Sequence, residues 1–268
     1  MTELHADPSR PTYHPEHFAP LFAAEDRHFW FRSRNRCIAA ATRLLPERNS
    51  IKDVLEHGCG TGFVLAELQR LFPRARVSGA DLFEQGLAMA RQRFSGTLVQ
   101  ADLFQCGFRS EFDLIGLFDV LEHLDDDLQA LCALREQLRP GGRLLLTVPA
   151  HMVLWSDYDI ASGHRRRYSR HQLIARLEEA HFQVRFCTEF MVPLFPLVLI
   201  RRRFRLSHKG IIQPPVNAAE RIKSELEINP LLNRILDFIL RPEAPWIASR
   251  RRLFGGTSIL VLADRTAG

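Results

Sequence analysis

The sequence lacks several features that would assign it to a specialised class of protein. Its five cysteines are widely spaced and form no Cys-x-x-Cys pair, so neither a zinc site nor a disulfide framework is indicated. No stretch reaches the roughly 18 apolar residues that a membrane-spanning helix needs. Residues 1–10 have no apolar core of the kind found in secretory signals. We therefore expect a cytoplasmic protein with reduced thiols.

The composition is that of an ordinary globular protein with a mild excess of positive charge. Apolar residues make up 46% of the chain, which is enough for a full hydrophobic core. A length of 268 residues fits one large domain or one domain with a sizeable cap. The net charge of +5 is concentrated in clusters of basic residues, so an anionic partner has to be considered for those clusters.

One short segment predicts a strand, a tight glycine turn and the start of a helix. The apolar run 51–55 leads into alternating glycines at 58–62, and a helical pattern follows over 63–72. Glycines there allow positive φ and the close approach of a ligand. The helix start offers unpaired N–H groups to an anionic group, and Glu56 could pair with an ammonium group. No Gly-Lys-Ser/Thr follows, which argues against a P-loop.

A regular alternation of apolar strands and helices continues along the chain. We predict strands over 51–55, 76–80, 97–101, 112–118, 143–148, 182–188 and 256–263, with a turn at 139–142. Polar residues follow these strands at the carboxyl edge of a parallel sheet, where open α/β folds bind ligands. Asp81 comes about twenty residues after the glycines, the spacing at which a carboxylate can accept both ribose hydroxyls. Leu103 and Phe104, after Asp102, could flank an adenine.

In content and order, these elements resemble the class I S-adenosylmethionine-dependent methyltransferases. The matching segments are 54–62, 79–81, 100–102, 112–124 and 138–148. The Val-Leu-Glu-His stretch is most similar to the small-molecule branch that includes ubiquinone-biosynthesis O-methyltransferases. The resemblance implies a doubly wound α/β fold with a seven-stranded, mostly parallel sheet whose last strand is antiparallel. It also implies S-adenosylmethionine as cofactor.

The resemblance further implies where the cofactor lies. It assigns the glycines to the methionine portion, Asp81 to the ribose and Asp102 to the adenine. The expected cofactor-binding residues are Glu56, Gly58, Cys59, Gly60, Gly62, Asp81, Leu82, Asp102, Leu103, Phe118 and Asp119. His57 departs from the family, where this position is usually apolar, and we expect it to pack against the N-terminal helices.

The chain is predicted to have four parts. These are an N-terminal helical lid (1–50), a cofactor-binding core (51–189), a helical insertion (190–254) and the last core strand (255–268). In the resembled fold a tight hairpin precedes the last strand. Residues 190–254 are far too many for such a hairpin, so they must form an insertion with its own helices.

A second cluster of polar residues follows the fourth strand. Asp119, Glu122 and His123 have the i, i+3, i+4 spacing that places side chains on one helical face, and His151 follows the fifth strand. These four could hold a divalent metal, although we favour the alternative without metal. In that alternative His123 or His151 acts as a general base and Asp119 borders the pocket. We predict His123, His151 and Asp119 as the catalytic residues.

The substrate site is predicted between two segments. The loop after the fifth strand, 151–168, would form one wall, and the aromatic N-terminal helix would form the other. The candidate substrate-binding residues are Trp30, Trp155, Tyr158, His164 and Arg166. The alternatives are a solvated basic loop and, for at least two rings of 29–31, plain helix packing.

The insertion opens on an apolar run, 190–200, followed by arginines at 201–203 and 205. This pattern resembles an interfacial anchor for an anionic membrane surface, and it raises the possibility of contact through 190–209 with the inner face of the membrane. We favour burial beneath the cap helices, because so short a run is usually core. Pro193 and Pro196 predict a bent element rather than one straight helix.

Together these features predict methyl transfer from S-adenosylmethionine to a small or lipid-like acceptor, with oxygen as the accepting atom. The alternative is a nucleic-acid-binding or nucleic-acid-modifying protein that uses the basic clusters. No Asn/Asp-Pro-Pro-Tyr signature and no cysteine suited to attack a base follow the fourth strand. We therefore expect no nucleic-acid partner.

Overall fold

A seven-stranded sheet forms the centre of the molecule. The computed structural model describes residues 14–207 and 223–266, and its strand order is β3-β2-β1-β4-β5-β7-β6. The strands are β1 (Asp53–His57), β2 (Arg76–Asp81), β3 (Thr97–Gln100), β4 (Phe112–Phe118), β5 (Leu138–Pro149), β6 (Phe182–Phe190) and β7 (Ser258–Arg265). The first five strands run parallel, and β7 runs antiparallel between β5 and β6. The predicted fold class is confirmed.

Helices cover both faces of this sheet. They are α1 (Phe18–Glu25), α2 (Phe29–Thr42), α3 (Phe63–Leu71), α4 (Glu84–Ala90), α5 (Asp127–Gln137), α6 (Asp157–Ala161), α7 (Arg170–Glu179), α8 (Leu194–Ser207), α9 (Pro230–Leu240) and α10 (Glu243–Ala248). Short 3₁₀ turns occur at Pro15–His17, Arg48–Ser50, Leu121–His123 and Met152–Leu154. None of the helices among the described residues has the length and apolar content to cross a bilayer.

The alternation of side chains along β5 divides the core between the two faces. Leu145 packs in a cluster with α2, α3 and α10, whereas Leu144 and Leu146 pack in a second cluster with α5 and α7. Successive strand residues point to opposite faces, so a strand buried on both sides is mostly apolar, as β4 is apart from Asp113 near its start. This explains why β4, with Phe112–Phe118, was predicted with both ends correct.

Most strand limits differ from the prediction by one or two residues, and the start of β5 differs by five. Strand β1 begins at Asp53 and extends to His57, so the residues before the glycines belong to the sheet. The predicted turn at 139–142 lies inside β5, where the pairing with β4 shifts register. Gly141 has φ +77° there, and a Cβ at Gly142 would lie 2.8 Å from the Arg139 carbonyl oxygen. The glycines form a bulge rather than a strand end.

Helix α1 is fixed to the core by the buried side chain of Arg93. The Arg93 side chain, just after α4, bonds to Glu25, to Asp26 at 2.8 Å and to the Phe22 carbonyl at 2.8 Å. Helix α1 is thereby held over the glycine loop. In α2, Phe29 and Phe31 are buried, as the packing alternative predicts for two of the three rings.

The insertion packs on the outer side of α2 through polar contacts as well as through the buried Leu240 and Ile247. Asn233 accepts the Phe29 N–H at 2.8 Å and donates to the Arg27 carbonyl at 2.8 Å. Asp237 is buried and pairs with Arg36 at 2.8 Å. Helix α9 therefore turns polar residues toward the protein.

The start of the insertion differs from the predicted bent anchor. Phe190 ends β6 and is fully buried, and Leu194 is also buried, as the favoured burial predicts, whereas Leu197 and Ile200 are about half exposed (51% and 53%). Helix α8 includes Pro196 without a break, because a proline in the first turn removes no helical hydrogen bond. The predicted headgroup contacts of Arg201, Arg202, Arg203, Arg205, His208 and Lys209 concern side chains outside the described part of the chain. The four-part division stays a prediction.

Candidate functional site

The glycine loop between β1 and α3 has a backbone suited to glycine. The angle φ is +65° at Gly58 and +77° at Gly62, both in the left-handed region. A Cβ at Gly58 would lie 2.4 Å from a methyl carbon of Val120, and one at Gly62 would lie 2.9 Å from the Cβ of Ala90. The loop therefore lies tightly against the segment after β4 and the end of α4.

Asp81, the last residue of β2, is buried against this loop. Its Oδ2 accepts the Gly60 N–H at 2.7 Å, and its Oδ1 accepts the Phe83 N–H at 2.9 Å. Burial raises the pKa of Asp81, and neighbouring backbone N–H groups partly offset that rise. The carboxylate is fixed in place and keeps lone pairs for a further donor such as a hydroxyl.

Glu56 provides a second buried carboxylate beside the loop. Its side chain is 2% exposed, and its Oε2 has no hydrogen-bond partner among the described residues. Burial raises the pKa of Glu56 well above its ordinary value, the Arg34 guanidinium opposes the rise, and the Asp81 carboxylate adds to it. A cation placed here would compensate the buried charge, so this carboxylate fits the ammonium group of the expected cofactor.

The segments after β2 and β3 lie side by side at the same edge. Asp102 is half-buried and accepts the Phe104 N–H at 2.9 Å. The Leu82 carbonyl accepts the Gln100 side-chain amide at 3.1 Å, and Leu103 is partly buried against the core. These residues provide apolar surface and a carboxylate together, as an adenine site requires.

Two of the predicted cofactor residues have buried side chains. The Cys59 thiol points toward Gly79, where an added Cβ would lie 2.9 Å from Sγ, and its N–H donates to the Ala80 carbonyl at 3.1 Å. The Phe118 ring lies over Gly116 in β4. Neither side chain is exposed at the loop, so a contact with the cofactor would have to come from the backbone.

Arg34 of α2 is a charged residue of the site that sequence analysis missed. Its Nη1 donates to Asp119 Oδ2 at 2.7 Å, and its guanidinium lies over the half-buried Trp30 ring at 5.1 Å. Its positive charge also opposes the rise in the pKa of Glu56. The aromatic residues beside it were noticed in the sequence, but its partner is 85 positions away.

The prediction that Asp119, Glu122 and His123 share one helical face is wrong. Asp119 has φ +55°, and the chain becomes helical only in the 3₁₀ turn Leu121–His123. The left-handed residue redirects the chain directly after β4. Asp119 therefore pairs with Arg34, while Glu122 and His123 enter a different group.

That group contains His164 in place of Asp119 and His151. Potential ligand atoms of Glu122, His123 and His164 lie within 4.8 Å of one another. Burial lowers the pKa of His123 to about 3, so its imidazole is neutral at physiological pH. The four-residue metal set predicted from the sequence is not the group that the fold assembles.

His151 lies instead at the end of β5 against β6. Its Nε2 is 3.2 Å from Glu189 Oε2, an oxygen that also accepts the Gly256 N–H at 2.8 Å. The imidazole remains about a quarter exposed (26%), and its edge meets the Phe195 ring at a centroid distance of 5.4 Å. A partly exposed imidazole with a buried carboxylate partner is suited to take up a proton.

The other predicted substrate residues have mixed surroundings. Trp155 and Tyr158 are half-buried, and burial raises the pKa of Tyr158. The Arg166 guanidinium is engaged with Asp127 at 3.1 Å and with the Asp125 carbonyl at 2.7 Å. Arg166 thus holds its loop to the start of α5, and the substrate contacts of Trp30, Trp155 and Tyr158 stay a prediction.

His57 does not pack against the N-terminal helices as expected. Its Nε2 lies 2.7 Å from the side-chain oxygen of Gln137 in α5, on the other face of the sheet. Burial lowers the pKa of His57 to about 4. The alternation along β1 places this residue opposite to its neighbour Glu56.

Comparison with known sequences assigns the chain to a protein family. The profile described as "Methyltransferase domain" matches residues 27–185, more than half of the chain. A probable S-adenosylmethionine-dependent methyltransferase of Mycolicibacterium smegmatis is 30% identical over 170 residues, which cover 59% of this chain and 61% of that protein. A ubiquinone biosynthesis O-methyltransferase of Aromatoleum aromaticum is 32% identical over 103 residues, covering 36% of this chain and 43% of that protein. The chain spans less than two thirds of the length of both relatives.

Comparison with solved structures agrees with the fold. A structure of the Haloferax volcanii Trm112 methyltransferase activator in complex with a methyltransferase matches with a TM-score of 0.61 and 16% identity. The match covers 95% of this chain and 98% of the other. At that identity the likeness concerns the fold alone.

Proposed function

The chain belongs to the methyltransferase-domain family, within the class I S-adenosylmethionine-dependent methyltransferases, and we propose that it methylates an oxygen of a small or lipid-like acceptor. The observation that carries the proposal is the pair of buried carboxylates, Glu56 and Asp81, at a glycine loop that begins a helix. S-adenosylmethionine supplies a sulfonium-bound, electrophilic methyl group when bound there.

The residues around the glycine loop have separate roles in holding the cofactor. Glu56 binds the ammonium group, because its Oε2 has no other hydrogen-bond partner among the described residues. Asp81 accepts the ribose hydroxyls while its position is fixed by the Gly60 and Phe83 amides. Asp102 and Leu103 border the adenine. Arg34 limits the negative potential that these carboxylates create together.

The reaction itself is a displacement in which positioning matters most. An acceptor hydroxyl loses its proton to a base, and its oxygen forms a bond to the methyl carbon. The carbon–sulfur bond breaks, and its electron pair returns to sulfur, which becomes a neutral thioether. The protein must therefore align the oxygen and receive one proton.

Of the three predicted catalytic residues, His151 is best placed to receive that proton. Glu189 stabilises the imidazolium that forms when His151 is protonated. His123 is a weak base because burial lowers its pKa to about 3. Asp119 is bound to Arg34 and has a positioning role beside the pocket.

An exposed apolar surface on the insertion supports a lipid-like acceptor. Helix α9 buries Asp237 against α2 and Leu240 in the core but exposes five other apolar side chains, with Leu231 67% and Phe238 69% exposed. The surface, which we call the α9 apolar face, consists of Leu231, Leu232, Ile235, Phe238, Ile239 and Trp246. Helices of soluble proteins normally bury such a stripe.

Two arginines lie at the α9 apolar face and favour an anionic membrane surface as its partner. Arg241 lies over the Phe238 ring at 6.0 Å, and Arg251 lies over the Trp246 ring at 4.8 Å. An apolar helix face with flanking cations is typical of peripheral membrane binding, and each arginine near an anionic surface contributes about 1 kcal/mol. Contact through this face would add to the contact through 190–209 that the sequence suggested, which stays a prediction, and it would bring the protein to the inner face of the membrane.

A labelling experiment tests the methyl transfer. Methyl-labelled S-adenosylmethionine is incubated with the protein and with either a lipid extract or a soluble metabolite extract. We expect label in the lipid fraction, and we expect His151→Gln to lower kcat by about 100-fold or more while leaving the KM for the cofactor unchanged. The control is His171→Gln, an exposed histidine of α7. Label in neither extract would contradict the proposed function. Full activity of His151→Gln would show that His151 is not the general base.

A vesicle experiment tests the membrane surface. We expect the protein to sediment with anionic vesicles at low salt and to be released by high salt. Phe238→Ser with Leu231→Ser should abolish sedimentation while cofactor binding remains. Protein that stays in the supernatant would contradict the lipid route and favour a soluble acceptor, and a gel shift with nucleic acid at physiological salt would favour the nucleic-acid alternative.

A further inference from the structure

Three potential metal ligands meet beside the 3₁₀ turn after β4. Glu122 and His123 belong to this turn, and His164 lies in the loop between α6 and α7. Their ligand atoms are within 4.8 Å of one another, and the Glu122 Oε1 to His164 Nε2 distance is 3.9 Å. No other group of three such residues is found in the described part of the chain.

The Glu122 carboxylate is the first sign that this group binds a cation. It is completely buried, and no hydrogen bond from another described residue reaches either oxygen. A buried carboxylate that accepts no hydrogen bond from its surroundings is strongly destabilised when charged. Burial and the nearby Asp119 raise the pKa of Glu122 well above its ordinary value, and the Arg167 guanidinium opposes the rise.

The orientation of His164 is the second sign. Its Nδ1 lies 2.8 Å from Asp159 Oδ1, so its Nε2 is the nitrogen that faces Glu122. Asp159 is itself fixed by Arg167 at 2.7 Å and by the Ser156 N–H at 2.7 Å. Histidines that bind metals commonly have a carboxylate on their second nitrogen, which sets the tautomer and the ring orientation.

We propose that Glu122, His123 and His164 bind one divalent transition-metal ion such as Zn²⁺. Two imidazoles and one carboxylate form a donor set that binds Zn²⁺ or Fe²⁺ rather than Mg²⁺. Tetrahedral Zn²⁺ places its ligand atoms about 3.4 Å apart, so the 3.9 Å pair has to close by a fraction of an ångström. Three protein ligands leave a coordination position open, as in catalytic zinc sites.

The open position defines a role that rests on the proposed methyl transfer. The metal group follows Asp119, which borders the cofactor site at the end of β4. An acceptor hydroxyl bound to the ion would have a lowered pKa and would give its proton to His151 more readily. The ion would therefore select an acceptor with a metal-binding oxygen, such as a phenol or a catechol.

A binding experiment with Zn²⁺ tests the site directly. Chelator-treated, full-length protein is titrated with Zn²⁺ in a calorimeter near neutral pH, and Co²⁺ absorption reports the coordination geometry. We expect one ion per chain and a tetrahedral Co²⁺ spectrum. Glu122→Gln and His164→Gln should each weaken binding by at least about 100-fold, and Asp159→Asn by about 10–100-fold.

His151→Gln is the matched control, because it removes a histidine that the sequence, but not the fold, assigned to the metal. It should retain one ion per chain. Circular dichroism and titration with S-adenosylmethionine show whether each variant is folded. Wild-type protein that binds Zn²⁺ no better than Glu122→Gln would overturn the metal site, even with cofactor binding intact. Failure to bind S-adenosylmethionine would instead contradict the proposed function.

Discussion

The attachment of α1 to the core gives the sharpest prediction about stability. Arg93 is the central residue of this attachment, with a side chain only 11% exposed. It bonds to Glu25 and Asp26, donates to Thr61 at 3.2 Å, and lies 4.0 Å from the centre of the Phe22 ring. The change Arg93→Met keeps most of the apolar stem and removes every one of these charged contacts.

The expected loss follows from the burial of Glu25, whose side chain is 7% exposed. Removing one partner of a buried ion pair leaves an uncompensated charge and destabilises a protein by about 3–5 kcal/mol. For a chain of this size the fall in Tm would be roughly 6–20 °C. Adding Glu25→Gln removes the stranded charge, so the double variant should regain about 0.5–3 kcal/mol relative to the single variant.

Denaturant unfolding of the two variants and the wild type measures these differences. The control is Arg91→Met, which breaks an exposed pair with Glu84 (side chains 53% and 52% exposed) and should change the free energy of unfolding by at most about 1 kcal/mol. The reasoning is refuted if Arg93→Met is as stable as Arg91→Met. It is also refuted if Glu25→Gln makes the Arg93→Met protein less stable.

Two further predictions concern the glycine loop and the buried histidine of β1. Gly62→Ala and Gly141→Ala both place a side chain at φ +77°, but only Gly62 has Ala90 within 2.9 Å of the new Cβ, whereas Gly141 faces open space. Both should lose roughly 1–2 kcal/mol from the left-handed backbone, and Gly62→Ala should lose more in urea unfolding; equal losses would show that Ala90 gives way. The pKa of His57 is lowered to about 4 in the folded protein, whereas in the unfolded chain it has its ordinary value of about 6.5. As the pH falls below about 6.5 the unfolded chain therefore binds a proton at His57 that the folded protein does not, and the free energy of unfolding falls by about 2 kcal/mol between pH 7 and pH 5. His57→Gln should reduce this acid-induced loss of stability by that amount. An unchanged loss would mean that another group causes the destabilisation at low pH.

Much of the fold could be predicted because the relevant signals are local. The run 112–118 is apolar except for Asp113 and ends at Asp119, so its limits as a strand are visible in the sequence. The glycines after β1 mark a turn for the same reason. The bulge at Gly141 could not be predicted, because a glycine pair gives the same signal whether it ends a strand or lies within one.

The charged contacts of the site were harder to predict because they join distant segments. Arg34 meets Asp119 across 85 positions, and His164 meets Glu122 only after α6 turns the chain back. The α9 apolar face was missed for a different reason. Its apolar pattern is that of a buried stripe, and only the contacts of Asp237 and Asn233 with α2 and the residues before it show that the helix is turned the other way.

The central claim is that S-adenosylmethionine binds with its ammonium group on Glu56, and a proton-linked titration tests it most directly. Burial raises the pKa of free Glu56 well above its ordinary value, and pairing with a cation would lower it. Between those two pKa values binding must release a proton, so affinity should rise as the pH is raised. Calorimetry in buffers of different ionisation enthalpy should show this release in the wild type and its loss, with weaker binding, in Glu56→Gln. Absence of binding, or equal affinity and equal proton release in the two proteins, would contradict the account.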